Sequence, residues 1–309
     1  MRWWIWISAL FLALAASVPA QAARRALVMG NDSYSREVGP LRNARADARA
    51  MGAALRRAGF EVEVAEDLDR AAMTRLLRRF RQKVTAGDDV VVFYAGHGVE
   101  VLGANYLLPV DIRVEEEGQV RDDAVALQAL LDDLQERRPR FSLTIVDACR
   151  DNPLKGVGRN VGERGLKPVV AATGQMVIYS AGAGQRALDR LNEGDASPNG
   201  VFTRVFLQEM LKAPEPVQTT VQRVRREVAR LAKSVGREQV PALYDQSLGD
   251  FSFVAGGVQA EAAAPRPPTR TRPSGARRGP CTRWRPIRPT RRVFPGGNLW
   301  TWRMRPWRS

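Results

Sequence analysis

The chain has 309 residues and a formal net charge of +15, from 48 Lys and Arg against 33 Asp and Glu. An apolar fraction of 44% is that of a globular protein with enough length to bury a sizeable core. Two cysteines and one histidine exclude a Cys/His zinc cluster and any disulfide framework beyond a single bridge.

The charge is unevenly placed. Residues 261–309 hold 13 Arg, no Lys and one acid, a local charge of +12, which leaves about +2 for residues 3–260. A basic isoelectric point spread over a folded face would point to nucleic acid, but here the excess is confined to the tail. The seven tryptophans divide the same way, three within the first six residues and four after residue 283. The middle is therefore read as one independent domain.

Residues 1–23 read as a secretory signal peptide. Arg2 supplies a minimal positive start, residues 3–16 an apolar stretch, and Ala20-Gln21-Ala22 a small-x-small cleavage site. The apolar stretch is shorter than the roughly 20 residues that span a membrane, so no transmembrane span is expected in the mature chain. An uncleaved anchor is the alternative. Either way the domain is expected outside the cytoplasm, exported to a periplasm or secreted. An unpaired cysteine is exposed to oxidation there, which suggests that it has a use.

The domain, residues 24–255, alternates strand and helix. Residues 25–29 form a short apolar run that ends at the turn signal Gly30-Asn31-Asp32. Residues 43–58 carry apolar side chains at helical spacing, with Asn43 suited to the N-cap and Gly59 to the position after the helix. A strand at 60–65 and a helix at 70–84 follow. Residues 89–94 are almost wholly apolar, as expected of a strand covered on both faces. A helix near 124–137 precedes buried strands at 141–146 and 175–179. Helices near 200–212 and 217–234 then lead to a last strand pair around 241–254. This pattern predicts an α/β fold with a mostly parallel central sheet flanked by helices. In such sheets reactive groups sit just past the carboxyl ends of the strands.

Two such places hold the only histidine and the only cysteine of the domain. Ala95-Gly96-His97-Gly98 follows one apolar strand, and Asp147-Ala148-Cys149-Arg150-Asp151 follows another. Adjacent parallel strands would bring His97 and Cys149 to one sheet edge. A thiol of pKa about 8.5 is a poor nucleophile at neutral pH, and a nearby imidazole takes its proton or lowers its pKa. The same ring then protonates a leaving amine. The Gly98 and Cys149 amides are candidate donors to a developing oxyanion. Each residue alone would more often be structural; their joint placement is the signal. A bridge from Cys281, in the tail, to Cys149 would abolish the nucleophile.

These residues resemble a known family. The pattern Q-A-C-[RQG]-G of caspases, with a histidine about 50 residues upstream, is approached by Asp147-Ala148-Cys149-Arg150-Asp151, 52 residues after His97. Residues 91–98 with 105–111 look like bacterial metacaspase-like (orthocaspase) members of the caspase-like clan. Residues 26–34 and 41–48 resemble that family's opening strand and first helix. The resemblance spans roughly residues 24–254. It implies a caspase/hemoglobinase-like fold, a dyad of catalytic residues Cys149 and His97, and hydrolysis of peptide bonds by a cysteine endopeptidase. The alternative is a catalytically silent caspase-fold binding or scaffold module. A serine hydrolase built on Ser180 ranks last, because Ser180 lies in S-A-G-A-G and not in the G-x-S-x-G elbow.

The sequence departs from the caspase pattern at Asp147, which stands where caspases carry the glutamine that helps bind an acidic side chain. A carboxylate there would repel aspartate and attract Arg or Lys. Metacaspase-like relatives share a basic-residue preference, so cleavage after Arg or Lys is expected, with protein or peptide substrates. The alternative for Asp147 is a strand-end cap or a partner for Arg150. Ser180 and Asp189 fall where the family places walls of the substrate pocket. The family also implies self-cleavage in loops such as residues 150–168, where Lys155, Arg159, Arg164 and Lys167 lie among glycines and prolines. It raises activation by calcium as well. Glu115, Glu116, Glu117, Asp122 and Asp123 lack the alternating spacing of a calcium loop, so neither a metal ligand nor a cofactor is assigned.

Residues 256–309 are rich in Arg, Pro, Gly and Trp, without hydrophobic periodicity, and are expected to be disordered. Interleaved Trp and Arg suit nucleic acid or an anionic membrane. A solvated appendage is the plainer alternative.

Overall fold

A computed structural model describes residues 22–113, 117–149 and 166–254. Six strands form the main sheet, in the order β2-β1-β3-β6-β7-β8. They are β1 (Arg24–Gly30), β2 (Glu61–Glu66), β3 (Asp89–Val101), β6 (Phe141–Cys149), β7 (Gln175–Tyr179) and β8 (Ala242–Asp245). The first five pair in parallel and β8 runs antiparallel to β7. Two short strands, β4 (Ala104–Leu107) and β5 (Val125–Ala126), extend β3 by antiparallel pairing. The mostly parallel α/β architecture is thus the one the strand pattern predicts.

The near-continuous apolar strands are explained by cover on both faces. Along β1, Ala26 and Val28 face one core while Leu27 and Met29 face the other. The first core is closed by α1 (Ala44–Arg57), α5 (Val201–Glu209) and α6 (Val217–Ser234). The second is closed by α2 (Arg70–Lys83) and α4 (Leu127–Glu136). A short helix of seven residues, α3 (Glu117–Asp123), precedes β5. The two-residue period of the strands therefore decides which helix layer each side chain meets.

Several boundaries differ from the expectations. The strand after Asp89 does not stop at Tyr94 but runs through His97 to Val101. The strand from Phe141 likewise reaches Cys149. Both residues expected on loops are strand residues, because the backbones keep their parallel pairing to the end. The helix expected near 124–137 begins only at Leu127, as α4, because Val125 and Ala126 form β5; α3 lies ahead of the expected range. Only 242–245 of the expected last strand pair is a strand; Phe251 and Phe253 instead pack into the first core, where Phe251 stacks on Phe141 at 4.3 Å between ring centroids. Asn43 occupies the N-cap of α1 but makes no capping bond. Asp32 caps instead, its carboxylate accepting from the Ala44 amide at 2.8 Å. Residues 1–21, 150–165 and 255–309, with the signal peptide, the basic loop and the tail read from them, lie outside the described residues.

β1 and α1 meet at Gly30, where a Cβ would stand 2.4 Å from the Ala44 carbonyl oxygen and 2.7 Å from the Ala48 methyl. The nearer atom is backbone, so the helix would have to move off the sheet. Gly30→Ala is expected to cost about 3 kcal/mol, an overpacking penalty at the upper end of the usual range. In a domain of this size that reads as a Tm lower by roughly 6–12 °C in calorimetry. An unchanged Tm would mean that α1 is not held as described.

Candidate active site

The two parallel neighbours β3 and β6 stay in register until their last pair, His97 beside Cys149. One residue later the pairing changes hands: Gly98 begins the antiparallel ladder with β4, opposite Leu107. His97 therefore sits where β3 outruns its parallel partner, at the carboxyl edge of the sheet. Adjacent strands lie about 4.8 Å apart, so the two residues are near neighbours although 52 positions separate them.

The His97 ring is buried, with 7% of its surface exposed, against Tyr34 at 4.6 Å between ring centroids. Its Nε2 lies 2.8 Å from the Gly39 carbonyl oxygen. A carbonyl only accepts, so Nε2 carries the proton and Nδ1 keeps the lone pair. Among the described residues Nδ1 is buried and has no hydrogen-bond partner. Burial holds the pKa of the ring below its ordinary value, opposed by the Gly39 carbonyl. At neutral pH the ring is a neutral base. Gly39 has a φ of +92°, which only glycine adopts without strain, and that turn aims its carbonyl at the ring.

The backbone at His97 is equally fixed. Its amide donates to the Tyr34 hydroxyl at 3.0 Å, and its carbonyl accepts from the Leu108 amide at 3.0 Å and the Tyr94 hydroxyl at 2.7 Å. Burial raises the pKa of both tyrosines, so Tyr94 keeps the proton it donates to the His97 carbonyl and Tyr34 accepts from the His97 amide as a neutral hydroxyl. Tyr34, Tyr94 and Gly39 were not singled out in the sequence; their signal was only proximity to glycine-rich strand ends.

Beside His97 and Cys149 lies a small acidic cavity, lined by Asp47, Asp147 and Asp189 together with Asn43, Gly96 and Gly200. Asp147 pairs in register with Ala95, which faces the α1 and α5 layer. That parity carries the Asp147 carboxylate to Thr203 of α5, whose hydroxyl donates to it at 2.6 Å. Asp47 enters from the first turn of α1 and accepts from Gly200 N at 3.1 Å and Asn199 Nδ2 at 2.8 Å. Burial, and then the neighbouring Asp147, push Asp47 up to about 8. Burial pushes Asp147 up to about 6, with the hydroxyls of Thr203 and Ser180 opposing it. Asp189, at the exposed mouth, is raised by burial of its carboxyl group and by Asp32, while Arg190 and Arg42 oppose. Its own carbonyl accepts from Asn43 Nδ2 at 2.8 Å, which ties its loop to α1.

The structure thus gathers Asp147 and Asp189 at one cavity and buries Ser180 behind Asp147. It adds Asp47, which reads in the sequence as an ordinary first-turn helix acid. The segment after residue 165 returns alongside. Asn105 clamps the Lys167 peptide from both sides, accepting from its amide at 2.7 Å and donating to its carbonyl at 2.7 Å, while Lys167 Nζ meets Glu100 at 3.0 Å.

Residues 23–252 match the caspase domain, a peptidase family. The chain belongs to the caspase-domain family. It is 25% identical over 224 residues to mucosa-associated lymphoid tissue lymphoma translocation protein 1 of Homo sapiens, across 71% of this chain and 25% of that protein. The Mus musculus homolog gives the same figures. The chain therefore spans about a quarter of the length of these curated relatives.

Calcium is raised by the family resemblance, and of the acidic stretch named for it Glu115 and Glu116 lie outside the described residues. Asp122 and Asp123 are successive residues of α3, and the Asp122 carbonyl is taken by Arg70 at 3.0 Å. Among the described residues no group of three or more His, Cys, Asp and Glu could hold a metal ion, and no helix is long and apolar enough to cross a membrane.

Proposed function

We propose that this caspase-domain chain is an exported cysteine endopeptidase that cleaves after Arg or Lys, with Cys149 as nucleophile and His97 as its base. The observation that carries the reading is the shared register position of His97 and Cys149, with Nδ1 of the ring left unpartnered among the described residues. The Gly39 carbonyl fixes the tautomer, so Nδ1 receives the thiol proton. The thiolate then adds to the carbonyl carbon of the scissile bond, and the Gly98 and Cys149 amides stabilise the oxyanion. The imidazolium returns its proton to the leaving amine as the C–N bond breaks. Water, deprotonated by the same nitrogen, hydrolyses the acyl-enzyme and restores the thiol.

The preference rests on Asp47, Asp147 and Asp189 around one cavity. The cavity measures about 20 Å³, room for little more than one water, so a guanidinium or ammonium group would meet these acids at the mouth. There it replaces mutual repulsion with charge-assisted hydrogen bonds, whereas an aspartate would add a fourth carboxylate. The basic groups of residues 150–168 would suit this cavity too, as self-cleavage sites. The test is a pair of fluorogenic peptides that differ only before the scissile bond. The Arg peptide is expected to turn over at least about 100-fold faster than the Asp peptide, the scale set by an unpaired buried charge. Cys149→Ala should abolish both. Faster cleavage of the Asp peptide overturns the preference, and binding without turnover by the wild type returns the silent-module alternative.

A further inference from the structure

A second concavity lies on the opposite face of the sheet from the acidic cavity. It measures about 360 Å³ and opens between α2 and α4, beside α3 and β5. Its floor is apolar, made by Leu77 and Phe80 of α2 and Leu130 and Leu134 of α4. Met73 and Leu76 of α2 pack into the second core and not into this space, and Ala129 on α4 presents only a methyl group to it.

The rim is cationic. Arg70, Arg78, Arg81 and Arg121 line it against a single carboxylate, Asp133. Two of the four are engaged. Arg81 pairs with Asp133 at 2.9 Å and with Glu136, and Arg70 donates to Thr74 at 2.6 Å and to the Asp122 carbonyl. Arg78 and Arg121 are exposed, and among the described residues their side chains make no hydrogen bond or ion pair. A space of this size falls in the range of small-molecule sites, in which an apolar lining supplies contact and a few polar groups fix orientation. Guanidinium groups match the planar geometry of a carboxylate and the oxygens of a phosphate.

We propose that this cavity binds a single-chain amphiphilic anion, its alkyl chain over Leu77 and Leu130 and its carboxylate or phosphate head between Arg78 and Arg121. Nothing in this inference depends on the peptidase reading. The test titrates the full-length chain by calorimetry with decanoate and decyl phosphate as monomers in solution. Decanol, inorganic phosphate and anionic phospholipid vesicles are run beside them.

Both amphiphiles are expected to bind, and decanol and inorganic phosphate each at least about tenfold more weakly, the scale of a lost charged hydrogen bond or a lost apolar contact. The Arg78→Gln, Arg121→Gln double variant should weaken the amphiphiles by about tenfold or more with Tm unchanged, since both side chains are exposed. Ala129→Trp, which fills the opening, should block them. Equal affinity for decanol, unchanged binding by the double variant, or binding to vesicles with none to the free amphiphiles would each overturn the proposal.

Discussion

Replacing His97 by alanine is expected to lower kcat/KM for an Arg peptide by about 10³-fold or more, within the range of positioned general acid–base catalysis. Two losses combine. The thiol loses the base that takes its proton, so at neutral pH only a few per cent remains as thiolate. The departing amine loses its acid as well. The residual activity of the variant should climb with pH towards the ordinary thiol pKa of about 8.5. The wild type, whose ring is already neutral at pH 7 because burial depresses its pKa, should show no such climb from this group. Stability should also fall, by about 2–4 kcal/mol, because the change empties a buried ring site against Tyr34 and removes the bond to Gly39. A variant that kept more than a tenth of the activity would remove His97 from the mechanism.

The second large effect concerns the paired acids. Measured above pH 8, where both carboxyls are ionised, Asp147→Asn and Asp47→Asn are each expected to lower kcat/KM for the Arg peptide by about 100-fold, the scale of losing one partner of a desolvated charge pair. The two losses should be less than additive, because both carboxylates face one cavity. The wild-type preference should also depend on pH. Asp147 is pushed up to about 6 and Asp47 up to about 8, so the cavity gains negative charge as pH rises from 6 to 8. The ratio of Arg to Asp peptide turnover should rise across that window and flatten in the double variant.

Stability should move oppositely. A carboxyl whose folded pKa exceeds its unfolded value of about 3.9 keeps its proton in the native state, so folding loses stability as pH climbs towards the folded pKa. Asp47→Asn should therefore raise Tm at pH 8 and do so less at pH 5. Its amide oxygen can still accept from Gly200 N, so the start of α5 is not sacrificed. A flat pH dependence of the turnover ratio would mean that the carboxyls do not share the substrate's charge.

The layers of the fold were legible because the strands carry the information twice. Each apolar run named a buried strand, and each amphipathic stretch between runs named a crossover helix, as with Met73, Leu76 and Phe80 of α2. Strand ends were less legible. Gly96 and Gly98 look like loop residues, yet ladders with β6 and then β4 carry β3 straight through them. The adjacency of His97 and Cys149 could be read from two strand ends on neighbouring strands. The Gly39 carbonyl could not, because a backbone acceptor from a distant turn leaves no trace in residue type. Asp47 was hidden for a different reason. Its role comes from facing Asp147 across the α1–sheet layer, a tertiary encounter that helix periodicity does not encode.

One feature of the return segment bears on durability. β7 is zipped to β6 along five consecutive partners, and every one of its side chains is inaccessible to solvent. Just upstream, Asn105 grips both poles of the Lys167 peptide. A backbone scission anywhere between Cys149 and Leu166 would therefore yield two polypeptides that copurify as a single particle, separable only by denaturant. Such a nick would change the molecule's covalent connectivity and make its resistance to unfolding depend on concentration, because the two pieces part when the fold opens.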